Sequence, residues 1–282
     1  MSMPAAALAL LFILGLLFGS YATMLTRRLA TGEGGMVAGR SKCPSCGGAL
    51  RWFDLVPLFS WLAVGGKCRQ CRAPIGWRYP LIELSMGLAF VFAGAFLADL
   101  PTVLTGDLRA LGVLVVALGL SFACVAISAY DLERMEVPGR VVWPAVAVAA
   151  ALALLATFVP SADLLPWNLP SSGVWGLPIV DALLGAAAAW ALIGGQAYLS
   201  KERIMGKGDG DIALLIGLVC GWKLALVAIW FSYCVGGLVG IFQLASGKRG
   251  EVPFGQYLCL GFLLALAFGG KVVAHYAVLW NL

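Results

Sequence analysis

With 282 residues, 61% of them hydrophobic and only 12% charged, the chain carries more apolar side chain than a soluble domain of that length buries. A soluble fold is excluded, and lipid is the solvent for most of the chain. The net charge of +5 is distributed as membrane proteins distribute it, with no nucleic-acid signature.

In chain order, apolar stretches near residues 4–25, 80–98, 109–130, 141–159, 177–199, 212–222 joined to 224–246, and 254–281 are each expected to be membrane helices. Breaks at Gly221-Trp222-Lys223 and Gly269-Gly270-Lys271 leave the count at seven or eight. The first stretch is longer than a signal-peptide core and no basic residue precedes it, so it reads as an anchor. The expected fold class is an all-α polytopic membrane protein with a small cytoplasmic zinc-knuckle insertion between the first two spans.

Orientation follows from Lys and Arg, which short loops retain on the cytoplasmic side. Alternation of the spans puts sixteen of the nineteen basic residues on one side, nine of them between Arg27 and Arg78. That side is read as the cytoplasm, and the loop 160–176, which has no Lys or Arg, as exterior. Attraction to anionic lipid headgroups is a side effect of the same bias.

The insertion holds four of the eight cysteines as Cys43-Pro-Ser-Cys46 and Cys68-Arg-Gln-Cys71, with 21 residues between the pairs. Two such pairs supply four thiolates for a tetrahedral Zn²⁺, and a reducing cytoplasm disfavours disulfides. Four protein ligands leave no open coordination position, so the metal is expected to be structural, stapling a segment too small for its own core. Cys124, Cys220, Cys234 and Cys259 stand singly in apolar spans and read as packed side chains.

Acids at the ends of membrane spans are costly enough to be functional candidates. Asp131 follows an apolar span at its cytoplasmic end, in Tyr130-Asp131-Leu132-Glu133-Arg134-Met135-Glu136-Val137-Pro138. Asp209 and Asp211 lie in Met205-Gly206-Lys207-Gly208-Asp209-Gly210-Asp211, which opens a later span on the same side. Two carboxylates converging there would share a proton, one activating water and the other polarising a carbonyl. The bland alternatives are a solvated helix end around Asp131 and a flexible glycine turn or weak phosphate cradle around Asp209.

Taken together, these features resemble the bacterial type IV prepilin peptidase family, the bifunctional leader peptidase and N-methyltransferase of pilus assembly and type II secretion. The likeness runs from Phe18-Gly19-Ser20-Tyr21 through the paired cysteines and Tyr79-Pro80-Leu81-Ile82-Glu83-Leu84 to both acidic segments and Pro253-Phe254-Gly255-Gln256. It implies that Asp131, seven positions before Pro138, and Asp209, in Gly206-Lys207-Gly208-Asp209, are catalytic. Gly217, Gly221 and Trp222 stand at the family's offsets from Asp209, which leaves Asp211 as the secondary candidate. Gly139, Asp211 and Thr23 depart from the family pattern, where Asp or Asn, Lys and Asn are usual.

The resemblance further implies a methyltransferase part using S-adenosylmethionine, with Gly66, Lys67 and Glu83 as candidates. It divides the chain into a first span (1–25), a cytoplasmic four-cysteine zinc-binding domain (26–79) and a transmembrane peptidase domain (80–282). Expected partners are prepilin or pseudopilin substrates and membrane lipid, in the bacterial inner membrane. A peptidase-only variant, a proton- or cation-coupled transporter and a partner-binding scaffold stay open as alternatives; the transporter would call for mid-span acids or an inverted repeat, and neither is visible.

Overall fold

The computed structural model describes residues 3–32, 41–159, 164, 177–203, 205–247 and 253–279. Among the described residues there are seven helices long and apolar enough to cross a membrane. They are α1 (Met3–Thr31), α3 (Arg78–Phe92, continued by a π-turn over Ala93–Leu97), α5 (Leu108–Arg134), α6 (Gly139–Phe158), α7 (Pro178–Leu199), α8 (Lys207–Ala245) and α9 (Gly255–Leu279). Two short helices, α2 (Phe59–Ala63) and α4 (Leu100–Leu104), and a 3-10 turn (Trp52–Leu55) complete the set.

α8 is not one straight helix. In a straight helix Ile212 and Gly236 would lie about 36 Å apart. Both instead touch the start of α9: a Cβ placed on Gly255 would be 3.2 Å from the Ile212 side chain, and one on Gly236 would be 3.2 Å from Phe254 and 3.3 Å from Tyr257. The helix therefore doubles back, and the turn is Gly221, with φ 66° and ψ 176°, a conformation open essentially to glycine alone. Its first arm, residues 207–220, is about 21 Å long, shorter than the roughly 30 Å of a full crossing, and the break read at Gly221-Trp222-Lys223 is real. The other suspected break is not one, since α9 runs unbroken through Gly269-Gly270. Gly221 is buried, as irregular backbone at membrane depth must be.

The helices pack as two groups that share α5. On one side α1 and α3 meet α5 through Leu11, Ala22, Ile82, Met86, Phe90 and Ala129. On the other, α6 to α9 close a larger core around Ile127, Ile193, Ile216, Leu258 and Phe262. With lipid outside, association rests on close packing of small residues rather than on apolar burial. Gly15 and Gly19 on α1 do this against α3, where added Cβ atoms would come within 2.7 Å of the Gly87 Cα and 2.6 Å of the Glu83 Cα. That approach sets Glu83 beside α1.

Two boundaries differ from the sequence reading. α1 does not stop near residue 25 but continues to Thr31, and α5 continues through Asp131 to Arg134, where Met135 caps it in the left-handed conformation. α1 outlasts its apolar run where the cysteine-bearing insertion folds over its polar end, with Arg27 donating to the Lys42 carbonyl at 3.2 Å and Ser20 to that of Leu55 at 3.4 Å; the end of α5 is held instead by Arg78 and by Arg134, which donates to the Ala30 carbonyl at 3.1 Å.

Candidate active site

Asp131 sits in the last turn of α5 and Asp209 in the first turn of α8, only 4% and 7% exposed. The Asp131 carboxylate lies at the start of α9, where a Cβ on Gly255 would be 2.9 Å from Oδ2, and the backbone N–H groups of Gly255 and Gln256 are directed at it. Ile212, one helical turn on from Asp209, touches the same point. Asp209 Oδ2 accepts the Gly206 N–H at 3.2 Å, and the Asp131 charge acts directly on Asp209. Asp131 Oδ2 is buried and accepts no hydrogen bond from the described residues.

Neither bland alternative describes these acids. Asp131 is helical and buried rather than a solvated loop, and the glycine segment is a helix start, with Gly206 as cap and α8 beginning at Lys207. Gly208 lets the α5–α6 link seat on α8, since a Cβ there would fall 2.5 Å from that of Val137. Asp211 is half-buried two positions beyond Asp209, and residues so spaced point to different sides of a helix. His275, the chain's one histidine, lies on α9 near its far end, away from both acids.

The four cysteines come together as the spacing predicts, their sulfurs all within 4.8 Å of one another. Each pair sits on a similar tight loop: Cys43 N–H bonds the Gly48 carbonyl at 2.9 Å, and Cys68 N–H that of Ala73 at 2.8 Å. The Cys43 and Cys71 sulfurs are 3.9 Å apart, far beyond a disulfide and close to the roughly 3.8 Å edge of a tetrahedron with 2.3 Å Zn–S bonds. The Cys46 N–H, ahead of lesser hydrogen bonds, brings the Cys43 thiol down to about 6 against the pull of burial. At Cys71 the Ala73 N–H acts the same way, but burial and the thiols of Cys68, Cys46 and Cys43 outweigh it and push the group up to about 11. A donor set with one ready thiolate and thiols that surrender protons to a cation fits zinc.

Glu83 and Lys67 line one cavity of about 730 Å³ between α1 and the cysteine insertion, and Gly66 stands behind its wall. Glu83 is 8% exposed and accepts the Leu58 N–H at 2.8 Å. Gly66, at φ 66°, leaves room for the Trp61 ring, which a Cβ would meet at 2.9 Å. Sequence reasoning gave no site role to Arg78, which contacts the Asp131 turn, and did not see that Ser20, Thr23, Arg27 and Thr31 share one face of α1. That face had a legible signal, polar residues three or four apart at the end of an apolar helix.

Comparison with known proteins gives the same assignment along the chain. Residues 13–97 match the model for the bacterial peptidase A24 N-terminal domain, and residues 118–241 the model for the type IV leader peptidase family. A prepilin leader peptidase/N-methyltransferase of Burkholderia pseudomallei (strain K96243) is 30% identical over 93% of this chain and 85% of its own. The chain belongs to the type IV leader peptidase family. Similarly named proteins of Stutzerimonas stutzeri (27% identical, 98% of this chain, 95% of its own) and Myxococcus xanthus (strain DK1622; 31%, 85% and 64%) align as well. No solved structure matches. The first family segment covers the cavity and all four cysteines, and the second covers both aspartates.

Proposed function

We propose that this protein cleaves the basic leader from type IV prepilins or pseudopilins at the cytoplasmic face of the bacterial inner membrane, and N-methylates the new amino terminus. The observation that carries the peptidase reading is the meeting of Asp131 and Asp209, two buried carboxylates at one end of the bundle, one with an oxygen that accepts no hydrogen bond from the described residues. Sixteen of nineteen Lys and Arg residues on that side support its being the cytoplasm.

In this mechanism the ionised carboxylate takes a proton from water, whose oxygen attacks the scissile carbonyl carbon. The protonated partner gives its proton to the carbonyl oxygen. Collapse of the tetrahedral diol breaks the C–N bond as the leaving nitrogen takes up a proton, and no covalent enzyme intermediate forms. The Asp131 site lies at a helix end, so a substrate whose apolar stem is itself a membrane helix reaches it laterally. Glu136, exposed two residues before Pro138, suits a basic leader. Cys43, Cys46, Cys68 and Cys71 would hold a structural zinc ion, and S-adenosylmethionine would supply the methyl group. The division into a first span, a zinc-binding domain and a transmembrane peptidase domain follows these roles, with the first boundary moved from residue 25 to the end of α1 at Thr31.

Purified enzyme in detergent with a prepilin tests the dyad. Asp131→Asn and Asp209→Asn are each expected to lower cleavage by about 10² or more, with Asp211→Asn within a few-fold of wild type. Wild-type cleavage by Asp209→Asn would overturn the dyad. Product mass after incubation with S-adenosylmethionine reads methylation separately, and an unmethylated product with intact cleavage would leave a peptidase alone.

A further inference from the structure

The insertion between α1 and α3 carries one stretch unlike the rest of it. Residues 55–66, from Leu55 through Phe59, Trp61 and Leu62 to Gly66, hold no charged side chain, while Arg51, Lys67 and Arg72 stand exposed on either side. An apolar run of this length is too short to cross a membrane and suits a segment that lies in its surface layer. α2 is the helical part of the run, and one side of it serves the fold: Ser60 and Trp61 line the cavity against α1. Phe59 and Leu62, three apart on the other side, are 69% and 66% exposed.

Two hydrogen bonds set the depth of this stretch. The Leu58 N–H bonds the Glu83 carboxylate at 2.8 Å, and Glu83 lies five residues, about 7 Å, inside the start of α3 at Arg78. The Leu55 carbonyl accepts from Ser20 at 3.4 Å, and Ser20 lies eleven residues, about 16 Å, from the end of α1 at Thr31. Both partners stand within the apolar runs of their spans, so residues 55–58 are tied in below the level at which each span becomes apolar. Phe59 and Leu62 follow directly and turn outward at that depth. The exposed face continues along α3 through Leu81, Leu84 and Leu88. Trp77, with its ring 4.3 Å from that of Trp61, stands where α3 begins, the place tryptophan takes at a membrane boundary.

We infer that α2 is an interfacial anchor: its Phe59 and Leu62 face lies among the acyl chains just beneath the headgroups of the leaflet on the insertion's side, with Arg51, Lys67 and Arg72 toward anionic headgroups. The four-cysteine domain then lies on the membrane instead of standing clear of it. α2 separates lipid on one side from the cavity on the other.

Full-length protein in nanodiscs that contain a phosphatidylcholine with a diazirine near the start of one acyl chain, irradiated, digested and mapped by mass spectrometry, tests the anchor. Wild type is expected to carry lipid adducts within residues 55–66 as well as on the exposed face of α3, with the loop 43–48 unlabelled. Phe59→Asp combined with Leu62→Asp should lower the adducts in 55–66 at least about fivefold, since carboxylates are driven out of the acyl region. The same variant should cut prepilin at the wild-type rate in detergent, which certifies its folding; should it fail to cut, the wild-type map still decides. Discs with about one-third phosphatidylglycerol should raise wild-type labelling of 55–66 about twofold over phosphatidylcholine alone, as the headgroups draw on the basic flanks. Equal labelling in the two discs would overturn the part given to Arg51, Lys67 and Arg72. Adducts on the spans with none in 55–66, or residues 55–66 crosslinked instead to a second copy or to prepilin, would overturn the anchor.

Discussion

Arg78, the first residue of α3, reaches to α5, donating to the Ala129 carbonyl at 3.1 Å and pairing with Glu133. The two contacts bracket Asp131 within one turn of helix, so Arg78 fixes the end of α5 that presents the carboxylate. Both side chains are about a third exposed (35% and 36%), where an ion pair contributes only about 0–1 kcal/mol to stability. Arg78→Met is therefore expected to leave the thermal midpoint nearly unchanged while lowering kcat about tenfold, with KM for prepilin within about twofold. Arg78→Lys should recover part of kcat. An unchanged kcat in Arg78→Met would show that the turn holds its position without this clasp.

Gly208 and Val137 form the second brace. A Cβ at residue 208 would sit 2.5 Å from that of Val137, so Gly208→Ala must push the α5–α6 link off the first turn of α8. Overpacking of this kind costs about 1–3 kcal/mol, and here it falls between the two segments that carry the aspartates. Cleavage should fall by about tenfold or more, and Val137→Gly in the same chain should restore part of it, since it removes the Cβ and Cγ2 that the new methyl would meet at 2.5 and 2.7 Å, whereas Val137→Ala keeps the Cβ and should restore less. Additive losses in the double variant would count against the contact.

Much of this arrangement was legible before any coordinates. Apolar runs mark the spans, the paired C-x-x-C spacing marks the metal site, and acids at span ends mark the dyad, because each signal is local. Gly221-Trp222-Lys223 was legible as a break but not as a reversal, which shows only when Ile212 and Gly236 are found against the same end of α9. Arg78 and the α1 face were missed for a related reason. Their partners lie on other elements, as with the Ala129 carbonyl for Arg78 and the Lys42 carbonyl for Arg27. Hydropathy ended α1 near residue 25, whereas the helix continues to Thr31 under the cover of the cysteine insertion.

The reversal at Gly221 makes its own prediction. Gly221 holds φ 66° and ψ 176°, where an alanine Cβ clashes with its own backbone. Gly221→Ala should destabilise the protein by about 1–3 kcal/mol, read as a lower thermal midpoint in detergent. The arm it turns carries Asp209 in its first turn, so cleavage should fall with stability. Gly119 on α5, beside which a Cβ would meet nothing within 4 Å, is the control, and Gly119→Ala should change neither. Equal effects at both positions would mean that the turn tolerates a side chain.

Removing zinc separates the two halves of the molecule. Cys43 and Cys68 line the cavity beside α1, while the aspartates sit on α5 and α8, which both meet the start of α9 without the insertion. Cys46→Ser, or chelation of wild type, should bring bound zinc from one ion per chain to near zero by elemental analysis. The insertion then loses its staple, and methylation should fall with it. Cleavage should fall less, because the contacts from the insertion to the spans, the Leu58 N–H on Glu83 at 2.8 Å and those of Arg27 and Ser20, lie on α1 and the α1 side of α3 rather than at the dyad. The measurement is the ratio of the two losses in one preparation. Cleavage lost in step with zinc, and restored by zinc alone, would place the metal in support of the peptidase site.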